Sequence, residues 1–190
     1  RRMTRGQAYR TMLMWSAPLI VAPPLLSKDV YSYLAQSAIG FQGDDPYVKS
    51  PISGLGYDHV LALSVPNLWK DTPAPYGPLF LWMSEQITRV TGDSIVAGVL
   101  LHRVLALIGV GLIVWALPRL ARRCGVTAVA ALWLGALNPL VLLHLIGGIH
   151  NEALMIGMML VGVEWCFRAI YGEAPLSHRL WKDRLPVPTG

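Results

Sequence analysis

Four apolar stretches constrain this chain more than any other feature: about Met12 to Leu26, Ile95 to Leu117, Val126 to Ile146 and Ala153 to Ile170. Of the 190 residues, 54% are hydrophobic and 14% charged, against roughly 45–50% and 25% in soluble domains. A soluble sphere cannot hide that much apolar surface, so lipid must cover part of it. The stretches approach the ~20 residues that cross a bilayer core as helix. Open strands cannot satisfy their backbone in lipid, so helices are the default. The expected class is all-α and polytopic, which excludes disorder, a disulfide scaffold and an ordinary cytosolic enzyme.

Each stretch is interrupted. Pro18, Pro23 and Pro24 make the first short, so it is kinked, shallow at one end, or extended back over Tyr9. His102-Arg103 interrupts the second, Asn138-Pro139 predicts a kink in the third, and Glu164 in the fourth is within reach of Arg168, four residues on. The formal charge is +5, and eleven of the sixteen Lys and Arg residues fall on one side if the spans alternate: Arg1, Arg2, Arg5, Arg10, Arg119, Arg122, Arg123, Arg168, Arg179, Lys182 and Arg184. The segment from Ser27 to Ser94 carries four basic residues against seven acidic ones. The excess of Lys and Arg on one side predicts cytoplasmic termini, a cytoplasmic tail over 171–190, and an outward loop over 27–94. Topology thus accounts for the charge, and no nucleic-acid partner is expected. Cys124 and Cys166 are expected as free thiols, and no Cys/His spacing suggests a metal. The chain opens Arg1-Arg2-Met3 without an apolar leader and closes Pro186-Val187-Pro188-Thr189-Gly190, which suggests a piece of a longer membrane protein.

The outward loop holds most of the candidate chemistry. Asp29 to Phe41 reads as an amphipathic helix with Asp29, Ser32 and Gln36 on one polar stripe. Asp29 either caps that helix or presents a carboxylate to a cavity at the membrane surface. Gly43-Asp44-Asp45-Pro46-Tyr47 is a turn, and its adjacent acids are not an Asp-x-Asp metal motif. Leu55 to Trp69, with His59 inside, reads as a second interfacial helix. Pro78 suits the first turn of a re-entrant or half-buried helix that runs on to Val90. Five of the seven tyrosines, Tyr31, Tyr33, Tyr47, Tyr57 and Tyr76, lie in this loop. Such rings stack on sugars or anchor an interfacial helix. Arg103, ~10–12 Å inside its span at helical rise, calls for an anionic partner such as a lipid phosphate, for snorkelling, or for an ion pair. His150 and Asn151, in the run Gly147–Glu152, either donate to a phosphate or sugar or belong to a plain turn with Glu152 as a cap.

Five motifs stand in order: Lys28-Asp29-Val30-Tyr31-Ser32-Tyr33, Asp45-Pro46-Tyr47, Ala74-Pro75-Tyr76-Gly77-Pro78-Leu79, Asn138-Pro139-Leu140 and Gly147-Gly148-Ile149-His150-Asn151-Glu152. Together they resemble the polytopic GT-C glycosyltransferases. Within these they are similar to the polyprenyl-phosphomannose-dependent α-(1→6)-mannopyranosyltransferases of lipomannan and lipoarabinomannan synthesis. The resemblance covers most of Met12–Ile170; members are much longer, and often carry Asp where this chain has Glu152. It implies a GT-C-like membrane fragment acting at the outer face of the cytoplasmic membrane. The implied donor is polyprenyl-phosphate-mannose and the acceptor a mannan or lipomannan, joined by direct displacement with inversion. No cofactor is implied, because the lipid-linked sugar is a substrate. Asp29 matches the base that takes the acceptor's proton. Position, rather than the family, nominates Arg103, His150 and Lys28 for the donor phosphate; in the mechanism that the resemblance implies, Tyr31, Tyr47 and Tyr76 shape the sugar pocket, with Asn151 as a further sugar contact. The bilayer and the helices of a longer chain are the other partners expected. The competing readings are a non-catalytic membrane module or remnant, and a GT-C enzyme using another lipid-linked sugar.

Overall fold

A computed structural model describes residues 3–172. Arg1, Arg2, Arg179, Lys182 and Arg184 and the tail beyond residue 172 lie outside the described residues. The described residues are helical throughout, with no strand among them. The first helix, α1 (Arg5–Val21), starts earlier than the expected Met12 because Thr4 and Gln7 form a reciprocal cap. It stops at Val21, where the Pro23-Pro24 pair forbids continuation. At 17 residues, with Arg5 and Arg10 included, it is not among the helices long and apolar enough to cross a membrane.

The segment over 27–94 folds as α2 (Asp29–Phe41), α3 (Pro51–Leu55), α4 (Val60–Ser64) and α5 (Pro78–Thr91), with a 3₁₀ turn over Asn67–Trp69. The α2 and α5 boundaries follow the sequence signals, and Pro78 opens α5. The single helix expected over Leu55–Trp69 is instead broken twice. Gly56 takes a left-handed φ of 94°, and Val65 is extended ahead of Pro66. The polar stripe of α2 is also not solvated. Ser32 and Gln36 are 3% and 2% exposed, because α3, α4, α5 and α6 enclose this helix on several sides. A hydroxyl pair, Ser37 with Thr88 at 2.7 Å, joins α2 to α5.

The membrane-scale frame is α6 (Ile95–Arg123) and α9 (Glu152–Tyr171), both long and apolar enough to cross a bilayer. At helical rise the 29 residues of α6 extend ~43 Å, more than a ~30 Å hydrocarbon core. Gly109 of α6 meets the Ala153–Leu154 peptide and Gly157 of α9, whereas Arg123 meets Glu164 and Gly172. Both helices therefore advance together, so they are parallel neighbours. The chain between them must return the same distance. It does so as a bent pair, Ala128–Ala136 followed by Pro139–Gly147, inclined by 48° and counting as a third span if taken as one leg. The leg comprises α7 (Ala128–Ala131), α8 (Pro139–Val141) and π-helical stretches over Leu132–Ala136 and Leu142–Gly147. Its break has the expected cause. Pro139 lacks an amide hydrogen, and the Asn138 carboxamide oxygen accepts from the Leu140 N–H at 2.9 Å.

Glycine at the α6–α9 crossing has a specific purpose. A Cβ on Gly109 would strike α9 backbone, and one on Gly157 would strike the Gly109 carbonyl. Absent side chains let the two backbones touch, which is how apolar helices associate when lipid is as apolar as they are. Helix α1 runs antiparallel to α6: Ala8 packs with Leu132, Ala136 and Leu137, while its far end lies at Arg103. Arg5 thus shares one end of the bundle with Arg119, Arg122 and Arg123, and Asp29 and Glu152 lie at the other.

Candidate active site

The Asp29 end of the bundle is built from three chain segments. The first leaves α1 through Pro23-Pro24 and enters α2. The second leaves the bent leg through Gly147-Gly148 and enters α9. A backbone hydrogen bond, Leu25 N–H to the Gly147 carbonyl at 2.9 Å, ties them together. Each passes through a left-handed residue just before the site, Leu26 with φ 64° and Ile149 with φ 59°. Ile149 is β-branched and 1% exposed, so its packing holds a backbone conformation that its side chain disfavours. The third segment is the loop into α5, which carries Tyr76.

These segments bring Asp29, His150 and Glu152 into one cluster. The Asp29 Oδ2 lies 3.9 Å from His150 Nε2, and His150 Nδ1 lies 3.6 Å from Glu152 Oε2. Both are ion-pair separations, longer than hydrogen bonds. The Asp29 side chain is 37% exposed and that of His150 21%, so the carboxylate is accessible while the ring is largely covered. Asp29 does not cap α2. Its own N–H donates to the Ser27 hydroxyl at 3.1 Å, and no helix amide bonds its carboxylate.

An aromatic nest lies beside the cluster. Tyr33 is four residues after Asp29, on the same helical face. Its ring meets Tyr76 edge-on at 4.8 Å and Phe80 at 4.9 Å. The Asn151 N–H donates to the Tyr33 hydroxyl at 3.4 Å, linking α2 to the start of α9. The Tyr47 hydroxyl donates to the Tyr76 carbonyl at 2.8 Å, and the Ala74 N–H donates to the Pro46 carbonyl at 2.8 Å. The Asp45-Pro46-Tyr47 turn therefore clasps the Pro75-Tyr76 loop. Burial first, and then the nearby Tyr76 phenol, pushes the Tyr33 phenol well above the ordinary tyrosine range. Tyr76 is raised by burial and then by the Asp29 and Glu152 carboxylates. Both phenols are thus protonated hydrogen-bond donors at neutral pH.

Among the residues nominated from sequence, Asp29, His150, Asn151, Tyr76 and Tyr47 converge here. Tyr31 is half-buried against the core and Lys28 is exposed at the N-cap of α2. Arg103 is 2% exposed and donates through Nη1 to the carbonyls of Ile20 and Ala22, at 2.8 and 2.6 Å. Its Nη1 thus complements the negative C-terminal end of α1, a partner outside the phosphate, snorkelling and ion-pair options open from the sequence. Its Nε and Nη2 have no hydrogen-bond partner among the described residues. Neighbouring His102 spans Gly98 and Ser84: Nδ1 donates to the Gly98 carbonyl at 2.8 Å, and Nε2 shares a hydrogen bond with the Ser84 hydroxyl at 3.1 Å. Sequence reasoning left Tyr33 and Glu152 out of the site. The four-residue step from Asp29 signals Tyr33, and Glu152 closes the Gly147–Glu152 motif two residues after His150. Among the described residues no group of three or more His, Cys, Asp or Glu is arranged to hold a metal ion. A void of about 10 Å³ lies among Tyr33, Phe80, His102, His150 and Asn151, too small to enclose more than a water-sized group.

The chain has well-defined relatives. It is 60% identical over 179 residues to a probable α-(1→6)-mannopyranosyltransferase of Mycolicibacterium smegmatis, covering 94% of this chain and 32% of that protein. It is 64% identical over 157 residues to an α-(1→6)-mannopyranosyltransferase of Mycobacterium tuberculosis, covering 83% of this chain and 27% of the relative. It is 50% identical over 172 residues to α-(1→6)-mannopyranosyltransferase B of Corynebacterium glutamicum, covering 90% and 28%. The chain thus spans about a third of the length of these curated relatives. No solved structure matches it. The family description "alpha-(1→6)-mannopyranosyltransferase, N-terminal domain" matches residues 1–178, and by that match and these identities the chain belongs to the α-(1→6)-mannopyranosyltransferase family.

Proposed function

We propose that this chain carries the catalytic end of a membrane mannosyltransferase that moves mannose from polyprenyl-phosphate-mannose to a mannan or lipomannan acceptor. The supporting observation is the accessible Asp29 carboxylate beside His150, walled by Tyr33 and Tyr76, in a chain of this family. In this reading the acceptor's 6-hydroxyl oxygen attacks the anomeric carbon of mannose. The bond from that carbon to the phosphate oxygen breaks, and the polyprenyl phosphate leaves with the electron pair. Asp29 takes the hydroxyl proton as attack proceeds. Direct displacement inverts the anomeric centre. A base of this kind contributes ~10²–10⁴-fold and must sit within hydrogen-bond reach of the attacking hydroxyl.

His150 stands next to that base, held between Asp29 and Glu152, and contributes an N–H toward the charge that develops on the leaving phosphate. Lys28, exposed one residue before Asp29, adds a mobile cation on the same side. The unpartnered Nε and Nη2 of Arg103 offer further donors to that phosphate. Tyr76, fixed by Tyr47, together with Tyr31 and Asn151, shapes the sugar subsite. The polyprenyl tail lies in lipid against the spans, which is why the reaction is placed in the membrane. The clustering of Arg residues at the opposite end supports an outer-face position for Asp29.

The test is Asp29→Asn in the full-length protein, expressed in membranes and supplied with labelled polyprenyl-phosphate-mannose. Transfer should fall by ~10²–10⁴-fold at unchanged membrane level, with the wild-type product α-(1→6)-linked. Normal transfer by that variant removes the assignment of the base. Transfer of arabinose or glucose in preference to mannose would reassign the donor.

A further inference from the structure

At the end of the bundle opposite Asp29, the C-terminal turns of α6 and α9 enclose a cavity of about 200 Å³. Nothing in the proposed transfer reaction uses it. Among the described residues, Arg119, Arg122, Arg123 and Arg168 line it together with the Glu164 carboxylate. That carboxylate is already engaged: Arg123 donates to it through Nε and Nη2 at 2.7 and 2.8 Å, and through Nη1 to the Gly172 carbonyl at 2.8 Å. The Arg123–Glu164 pair is 6% and 5% exposed and forms a fixed polar wall.

The remaining walls are amphipathic. The Arg119 guanidinium lies 4.0 Å over the Trp115 ring and donates to the Trp115 carbonyl, which fixes its plane. Trp165 is 61% exposed on the other helix, and Arg122 is exposed at the rim. Indole rings favour the headgroup layer of a bilayer, and planar guanidiniums bind phosphate oxygens in pairs. The volume is below the ~300–1,000 Å³ of pockets that enclose drug-sized ligands, so a single headgroup fits better than a whole substrate. The cavity lies at the C-terminal ends of α6 and α9, the two helices long and apolar enough to cross a bilayer. We propose that this Arg–Trp cavity is a phosphate-anion site that holds the headgroup of an anionic lipid in the leaflet opposite the one that Asp29 faces.

The experiment uses the full-length protein in mixed micelles, with retained lipid counted by native mass spectrometry. The probes are phosphatidylglycerol, phosphatidylcholine and inorganic phosphate. Wild-type protein should retain phosphatidylglycerol in preference to phosphatidylcholine. Arg119→Gln/Arg122→Gln should weaken that retention by roughly 20-fold, the effect of two basic groups at a membrane surface. Arg122→Gln alone, at an exposed position, should give about a fivefold loss and serves if the pair misfolds. Arg5→Gln/Arg10→Gln removes as much charge from the same end of the bundle and should leave retention unchanged. Displacement of the lipid by millimolar inorganic phosphate would identify an anion site filled from water; retention in its presence identifies a lipid-headgroup site. Equal retention of both lipids overturns the proposal. So does an equal loss in the Arg5/Arg10 variant, which would mean diffuse charge rather than a built site.

Discussion

Replacing Glu164 by leucine is expected to destabilise the α6–α9 pair far more than replacing both Glu164 and Arg123. The carboxylate accepts two charge-assisted hydrogen bonds at 2.7 and 2.8 Å, and both side chains are 7% exposed. Removing the acid alone leaves a buried guanidinium without its carboxylate, with Nη1 still donating to the Gly172 carbonyl. Breaking a buried pair from one side costs ~3–5 kcal/mol, whereas replacing the whole pair by apolar side chains of similar volume is often neutral. Glu164→Leu should therefore lose about 3–5 kcal/mol, Arg123→Met a similar amount, and the double variant only ~1 kcal/mol, mostly for the orphaned Gly172 carbonyl. The assay is a double-mutant cycle on the purified protein in detergent, with unfolding followed by helical circular dichroism against denaturant. A coupling energy of several kcal/mol is expected. Additive losses would refute the reasoning, because they would mean that the carboxylate and the guanidinium are each solvated independently.

Three further outcomes follow from the geometry. Tyr33 and Tyr76 have folded pKa values raised above the ordinary 10.0, so above that pH the folded protein binds more protons than the unfolded one. The stability they contribute is complete below pH ~10 and is lost as pH rises toward the folded values; phenolate absorbance should lag that of a denatured control, and Asp29→Asn should shrink the lag at Tyr76. Gly109→Ala puts a methyl group into α9 backbone, which no rotamer relieves, and should cost ~1–3 kcal/mol or more in the same unfolding assay. An equal change at Gly111, where a Cβ meets nothing within 4 Å, should be near neutral. Tyr47→Phe removes one hydrogen bond to the Tyr76 carbonyl, at an exposed position. It should raise the KM for acceptor with kcat nearly unchanged and leave stability within ~1 kcal/mol.

Local chemistry carried much of this protein into its sequence. The apolar runs, the start of α2 at Asp29, the start of α5 at Pro78 and the break at Asn138-Pro139 all depend on neighbours within one or two turns. Caps, proline sterics and hydropathy act over that distance and are therefore readable without coordinates. The ordered motifs likewise pointed to the family before any fold was drawn. The burial of the α2 stripe was not legible, because a polar stripe faces solvent only if nothing packs on it, and four helices do.

What only the tertiary structure decided is which distant groups meet. Glu164 is held by Arg123, 41 residues away, because α6 and α9 are parallel and touch through Gly109 and Gly157. Arg103 went to the carbonyl end of α1 because α1 folds back along α6. Asp29 gained His150 and Glu152 as neighbours only because the Leu25–Gly147 hydrogen bond brings two remote segments side by side. The physical reason is range. A residue's helical state is set within a few residues of it, while the partner of a buried charge is set by how whole helices cross, and one sequence position does not encode that crossing.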